Sequence, residues 1–147
     1  MMEMLALRSQ EDYDSLLPDA WGIPSLDLLS IPERENCLGD IGRQQQDRVG
    51  REEGEGGLDL ILMPGVAFDR NLGRLGHGKG FYDLFLSRYR DSKAHKHSGS
   101  ESMPFRVGLA LREQLLPSGQ SVPVDENDWH LDGLVVGDNQ YISAGES

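Results

Sequence analysis

LDLILMPGVAFDRNLGRLGHGKGFYDLFLSRYR, residues 58–90, changes character twice, and those changes set the fold. Leu58 to Pro64 is a near-continuous apolar run closed by Pro64-Gly65. Such a run suits a strand buried on both faces, as in a parallel sheet. From about Gly80 to Arg90 the spacing reads as a helix. Phe81, Leu84 and Phe85 share one side, and Tyr82, Leu86 and Tyr89 share another, so most of it should be covered. A glycine-rich loop joins the two. It therefore lies beyond the carboxyl end of a strand, where an α/β sheet keeps its ligands.

The loop carries the chemistry. Gly73, Gly76, Gly78 and Gly80 surround Arg74, His77 and Lys79, and Asp83 follows in the first helical turn. Glycines let the backbone take positive φ and bring amide N–H groups close to phosphate oxygens. The helix that follows adds free donors and a partial positive charge at its start. Lys79 supplies a mobile ammonium suited to a phosphoryl group in transfer, and Arg74 a fork suited to phosphate or carboxylate. From Gly73 the spacing is that of a phosphate loop, but Gly80 stands where that motif needs a hydroxyl for magnesium. Asp83 could face a cation there instead, because Mg²⁺ takes only one or two protein carboxylates and keeps its waters. Spacing alone also fits a plain tight turn followed by a Lys79–Asp83 surface pair at four residues. The density of glycines and cations favours phosphate. Asp125, Glu126 and Asp128 in VDENDWH could supply a second carboxylate, with Asp128 the best placed, although an exposed turn explains those residues as well.

Outward from this block, FRVGLAL (Phe105 to Leu111) reads as the next buried strand, and LDGLVVGDNQYIS as a hairpin turning near Gly137 to Asn139. MMEMLALRS alternates enough to be a strand, and LLPDAWGIPSL (Leu16 to Leu26) is loop-like. Residues 30–57 and 91–103 are polar, rich in charge and small residues, and are expected to be disordered insertions in a single domain, 1–147. His95 and His97 lie in the second, where a solvated loop outweighs a metal site lacking a third ligand. Cys37 is the single cysteine, so no internal disulfide is open to the chain.

The formal charge of −11 argues against nucleic acid, which needs a basic footprint, and against an anionic membrane. No apolar run approaches the roughly 20 residues of a spanning helix. The start has neither a secretory pattern nor the acid-poor composition of a transit peptide, so a cytoplasmic location is expected, with the mitochondrial matrix also open.

GRLGHGKGFYD resembles the signature of the 5-formyltetrahydrofolate cyclo-ligase family, also called 5,10-methenyltetrahydrofolate synthetases. GGLDLILMPGVAFDRNLGRLG before it and ALREQLLPSGQSVPVDENDWHLDGLV after it match the same family in order. The resemblance runs from about Leu5, through SLLPDAWGIP, to about Val136, interrupted by the two polar stretches. It implies a three-layer α/β/α, Rossmann-like, mostly parallel sheet. It also implies ATP- and Mg²⁺-dependent closure of 5-formyltetrahydrofolate to 5,10-methenyltetrahydrofolate, with release of ADP and phosphate.

Carried over by position, the resemblance implies that Arg74, Leu75, Gly76, His77, Gly78, Lys79, Gly80, Phe81 and Tyr82 line ATP. His77, Gly78, Lys79, Gly80 and Phe81 also border the folate, Lys79 and Arg74 act on the phosphoryl group, and Asp83 and Asp128 hold Mg²⁺. Many relatives carry Arg or another residue where this chain has His77, and Tyr where it has Phe81. The first difference makes charge there pH-dependent, and the second removes a hydroxyl. The family's basic first helix and its pocket glutamate have no match here, so roughly the first two fifths of a full-length relative is expected to be missing. The partners implied are small molecules, and a monomer is expected. Two other readings stand beside the enzyme: a non-catalytic fragment that at most binds nucleotide weakly, and a phosphate-loop kinase, which Gly80 disfavours.

Overall fold

The computed structural model describes residues 1–42, 57–92 and 103–144. The remaining parts of the two polar stretches, with His95 and His97, lie outside the described residues. The chain divides into two compact units, residues 1–57 with 89–101 and residues 58–88 with 102–147. No helix among the described residues is long and apolar enough to cross a membrane.

The first unit is built from short pieces. Helix α1 (Gln10–Asp14) starts at Ser9, whose hydroxyl accepts the N–H of Asp12. Strands β1 (Leu17–Pro18) and β2 (Pro24–Ser25) pair antiparallel, as do β3 (Glu35–Asn36) and β4 (Asp40–Ile41). Residues 31–42, read from sequence as the start of an insertion, thus form a 3-10 turn (Ile31–Glu33) and a hairpin. The hairpin holds because Leu38 is buried, and because Asn36 caps it, donating to the Gly42 carbonyl and accepting the Leu38 N–H. The Arg34 guanidinium grips both Asp12 oxygens at 2.7 Å and so ties this turn to α1. The opening residues do not form the strand expected of them. They meet β3 at one bridge, Leu5 to Asn36, because β3 is itself only two residues long.

The second unit carries a mixed sheet: β5 (Leu60–Met63), β8 (Phe105–Ala110), β9 (Gly133–Val136) and β10 (Gln140–Ser143), in the order β10-β9-β8-β5. Pairings β5–β8 and β8–β9 are parallel, while β9–β10 is the antiparallel hairpin read from sequence, with Asn139 at φ +65° in its turn. The parallel pair β5–β8 requires a crossover, and helix α2 (Phe81–Asp91) lies within it. A second, two-stranded piece, β6 (Ala67–Phe68) with β7 (Arg74–Leu75), sits between β5 and α2.

One face of the sheet is core. Ile61, Met63, Leu134 and Val136 are at most 3 % exposed. A Cβ on Gly108 would lie 2.6 Å from Leu131 and 3.0 Å from the Phe68 ring, so glycine there lets both side chains lie flat on the strand. The opposite face is the correction to the sequence reading. Leu60, Leu62, Phe105, Leu109, Val135 and Tyr141 share it by register and are 42–53 % exposed. Apolar residues do occupy both faces of these strands, as the runs required. Only one face is covered by the described residues, so the architecture is a mixed sheet with few helices, α/β in character.

Candidate functional site

The turn at residues 69–73 fixes the loop that follows. The buried Asp69 carboxylate accepts the N–H groups of Asn71 and Gly73, both at 2.9 Å, and closes a compact turn in which Leu72 takes φ +66°. That φ is uncommon for a branched residue, and burial of the Leu72 side chain holds it in place. Gly73 has a steric role here, because a Cβ would stand 2.6 Å from the nearer Asp69 oxygen.

Arg74 leaves this turn on β7 with its side chain only 5 % exposed. Its guanidinium donates to the Pro64 carbonyl at 3.2 Å and to Asp83 at 2.9 Å, and lies 5.4 Å from the centre of the Tyr82 ring. The Arg74 Nε–H is buried with no hydrogen-bond partner among the described residues. A buried donor left unpaired is costly. Burial raises the Tyr82 phenol above its ordinary value, against the pull of the Arg74 charge.

Gly78 and Gly80 sit at φ +79° and +58°, so their need for glycine is conformational: nothing lies within 4 Å of a Cβ at either. Helix α2 begins at Phe81, and its first i to i−4 bond runs from the Leu84 N–H to the Gly80 carbonyl. The preceding N–H groups stand at the positive end of the helix, where free donors gather. Lys79 is exposed, with its Nζ 5.8 Å from the centre of the Phe81 ring. The alternative Lys79–Asp83 pairing gives way to another partner: Asp83 takes Arg74 on one oxygen and the Trp129 N–H at 3.0 Å on the other.

That last bond brings the second acidic cluster to the loop. Trp129 follows Asp128 directly, and its indole also donates to the Ser87 hydroxyl on α2. Within the cluster, Asp128 accepts the Asp125 N–H at 2.9 Å and Asp125 accepts the Asn127 N–H at 2.7 Å. A cavity of about 320 Å³ results, lined by residues 74–83 together with Pro64, Pro123 and Asp128. Arg74 to Asp83 and Asp128, the residues that the resemblance assigns to ATP, folate or metal, border one cavity, whereas Asp125 and Glu126 do not line it.

Asp83 and Asp128 both border the cavity, and carboxylate oxygens are the hard donors that Mg²⁺ takes. No group of three His, Cys, Asp or Glu side chains gathers for a metal among the described residues. Sequence reasoning passed over Asp69 and Trp129. Asp69 had a legible signal in the Asp-x-Asn of a turn, whereas Trp129 acts through its main-chain N–H, which no side-chain pattern reveals.

The sequence model of the 5-formyltetrahydrofolate cyclo-ligase family matches residues 3–137. A 5-formyltetrahydrofolate cyclo-ligase of Mus musculus is 34 % identical over 140 residues, covering 94 % of this chain and 55 % of the relative. A probable 5-formyltetrahydrofolate cyclo-ligase of Schizosaccharomyces pombe is 48 % identical over 77 residues, 52 % of this chain and 36 % of the relative. A third, described as mitochondrial, from Arabidopsis thaliana, is 40 % identical over 95 residues, 65 % of this chain and 33 % of the relative. The chain thus spans between a third and just over half of the length of these curated relatives.

Proposed function

The chain belongs to the 5-formyltetrahydrofolate cyclo-ligase family, and from that premise we propose that its cavity takes ATP and 5-formyltetrahydrofolate and closes the folate to 5,10-methenyltetrahydrofolate, releasing ADP and phosphate. The observation that carries the reading is that the glycine loop, Arg74, Lys79, Asp83 and Asp128 all border one cavity. A guanidinium, an ammonium and the start of a helix at one cavity make a set suited to a polyanion.

The chemistry explains why ATP is needed. A formamide oxygen is a very poor leaving group, whereas phosphate is a good one. The formyl oxygen attacks the γ-phosphorus, ADP departs, and the folate carries a phosphorylated, imidate-like group. The N10 nitrogen then attacks the activated carbon, and phosphate leaves with the oxygen. Lys79, exposed at the cavity, follows the γ-phosphoryl group and neutralises the charge that builds on it. Arg74, rigid and buried, orients the phosphates through its fork. The amides from Gly76 to Tyr82 line the phosphates and His77 to Phe81 border the folate, the Phe81 ring being half exposed to receive it. Asp83 and Asp128 would hold Mg²⁺, which supplies charge neutralisation at the phosphate oxygens when bound. The compartment proposed is the cytoplasm or the mitochondrial matrix, and the working unit a monomer.

The test is phosphate release and methenyl product, measured together with ATP, Mg²⁺ and 5-formyltetrahydrofolate. Both should appear in equal amounts and only when all three are present. Lys79→Ala should reduce the rate on the order of a hundred- to a thousand-fold, the usual loss when one charge-stabilising donor is removed. Phosphate release independent of the folate, or no release at all, would overturn the assignment for this chain.

A further inference from the structure

Asp69 stands outside the cavity lining, yet three main-chain donors converge on it. One oxygen accepts Asn71 and Gly73, and the other accepts the N–H of Val122 at 2.9 Å. Asp69 is 2 % exposed and has no ion-pair partner among the described residues, so its carboxylate is held by peptide dipoles alone. Val122 opens the loop that carries Asp125 and Asp128. The same turn also grips the far end of that loop, because the Leu131 N–H donates to the Leu72 carbonyl at 3.0 Å. Both ends of residues 122–131 are thus fastened to the turn from which Arg74 and the glycine loop depart. The glycine at position 73 fits this arrangement: a Cβ there would strike both an Asp69 oxygen, at 2.6 Å, and a Val122 methyl, at 2.7 Å.

We infer that Asp69 is a positioning residue that sets the separation between the glycine loop and the Asp128 loop, and through it the fit of a phosphate-bound cation between them. The part concerning the cation rests on the function proposed above, whereas the coupling of the two loops does not. A group behind the residues that touch a metal commonly governs affinity through their orientation.

Two variants separate the bonds. In Asp69→Asn the amide oxygen can keep the two N–H groups of the turn, and its NH₂ then faces the N–H of Val122, releasing only that end. Asp69→Ser is smaller, can still accept within the turn, and falls short of Val122. Amide hydrogen exchange should quicken by about tenfold or more across 122–131 in both variants, while the amides of β8 and β9 keep their protection. The Mg²⁺ concentration needed for half-maximal ATP binding, read by calorimetry, should rise about tenfold.

Exchange that is unchanged at 122–131, or that quickens equally in β8 and β9, overturns the coupling and leaves Asp69 a general stabiliser. Local quickening with an unaltered Mg²⁺ requirement overturns the positioning role. If the unaltered chain binds no ATP with Mg²⁺, the proposed function falls, and hydrogen exchange still decides whether Asp69 couples the loops. Should one variant fail to fold, the other carries both measurements.

Discussion

Replacing Asp83 by Asn tests the electrical design of the cavity. Arg74 and Asp83 meet at 2.9 Å with side chains 5 % and 16 % exposed. Unit charges about 4 Å apart attract by about 4 kcal/mol at the effective dielectric of a protein near its surface. Removing one partner of a well-buried pair costs about 3–5 kcal/mol, since the other charge is left without compensation. Asp83 retains some access to water and Asn preserves an acceptor for the Trp129 N–H, so the lower end applies: about 3 kcal/mol for Asp83→Asn. For a chain of this size that is a fall in Tm of about 5–10 °C.

Asp83→Asn combined with Arg74→Met should cost much less than the two single changes added, with a coupling energy of about 2 kcal/mol in a double-mutant cycle followed by urea unfolding. ATP without magnesium should narrow the deficit of Asp83→Asn, because the phosphates would give Arg74 the counter-charge it lost. Additive single changes would show that the ion pair is not an energetic unit. A deficit indifferent to ATP would show that Arg74 does not face the phosphates.

Two further outcomes follow from the same geometry. Gly80→Ala forces a side chain into φ +58° with open space around it, so the cost is purely conformational: about 1–2 kcal/mol by thermal unfolding, together with weaker ATP binding. Acid should destabilise the protein through two aspartates. Asp12 is held below the ordinary carboxylate range first by the Arg34 guanidinium and then by the Arg8 N–H. For Asp132 burial pushes upward, but the side-chain and main-chain bonds from Arg106 outweigh it and leave the group below its usual value. A depressed folded value stabilises fully above about pH 4 and is lost as pH falls through it. Stability should therefore be level above about pH 5 and decline below pH 4, and Asp12→Asn and Asp132→Asn should each flatten that decline.

Strand, loop and helix were legible because each has a local cause. The run at Leu58 to Pro64 has strand-forming residues, the glycines need space or positive φ, and α2 has helical spacing. The hairpin near Asn139 was legible for the same reason. Of the apolar residues expected to be covered on α2, Phe81 and Leu84 are exposed, while Phe85, Leu86 and Tyr89 are buried. What escaped was decided by distant partners. Residues 31–42 look too polar to order, yet Asn36 turns its own polarity into a cap and Arg34 spends its charge on Asp12. The exposed face at Leu60, Leu62 and Leu109 has the composition of a core, and composition cannot say whether anything lies over it. At the site, the partner of Asp83 could not be read from spacing. Four-residue spacing offered Lys79 as one alternative, whereas β7 brings Arg74 to Asp83 and leaves Lys79 at the surface.

That division between the two cations fits the task proposed for them. A chain of net charge −11 repels a polyanion at long range, so attraction must come from groups acting close to the phosphates. Main-chain amides and a helix start serve there without adding charge that the surrounding acids would neutralise. Arg74, already engaged by Asp83 and Pro64, needs little further ordering to receive a ligand. Lys79 has the opposite property, being free to move with a group that is transferred. A fixed fork and a mobile ammonium on either side of Gly76 to Gly78 are different devices, and exchanging them, by Arg74→Lys with Lys79→Arg, would preserve charge and composition while removing both properties.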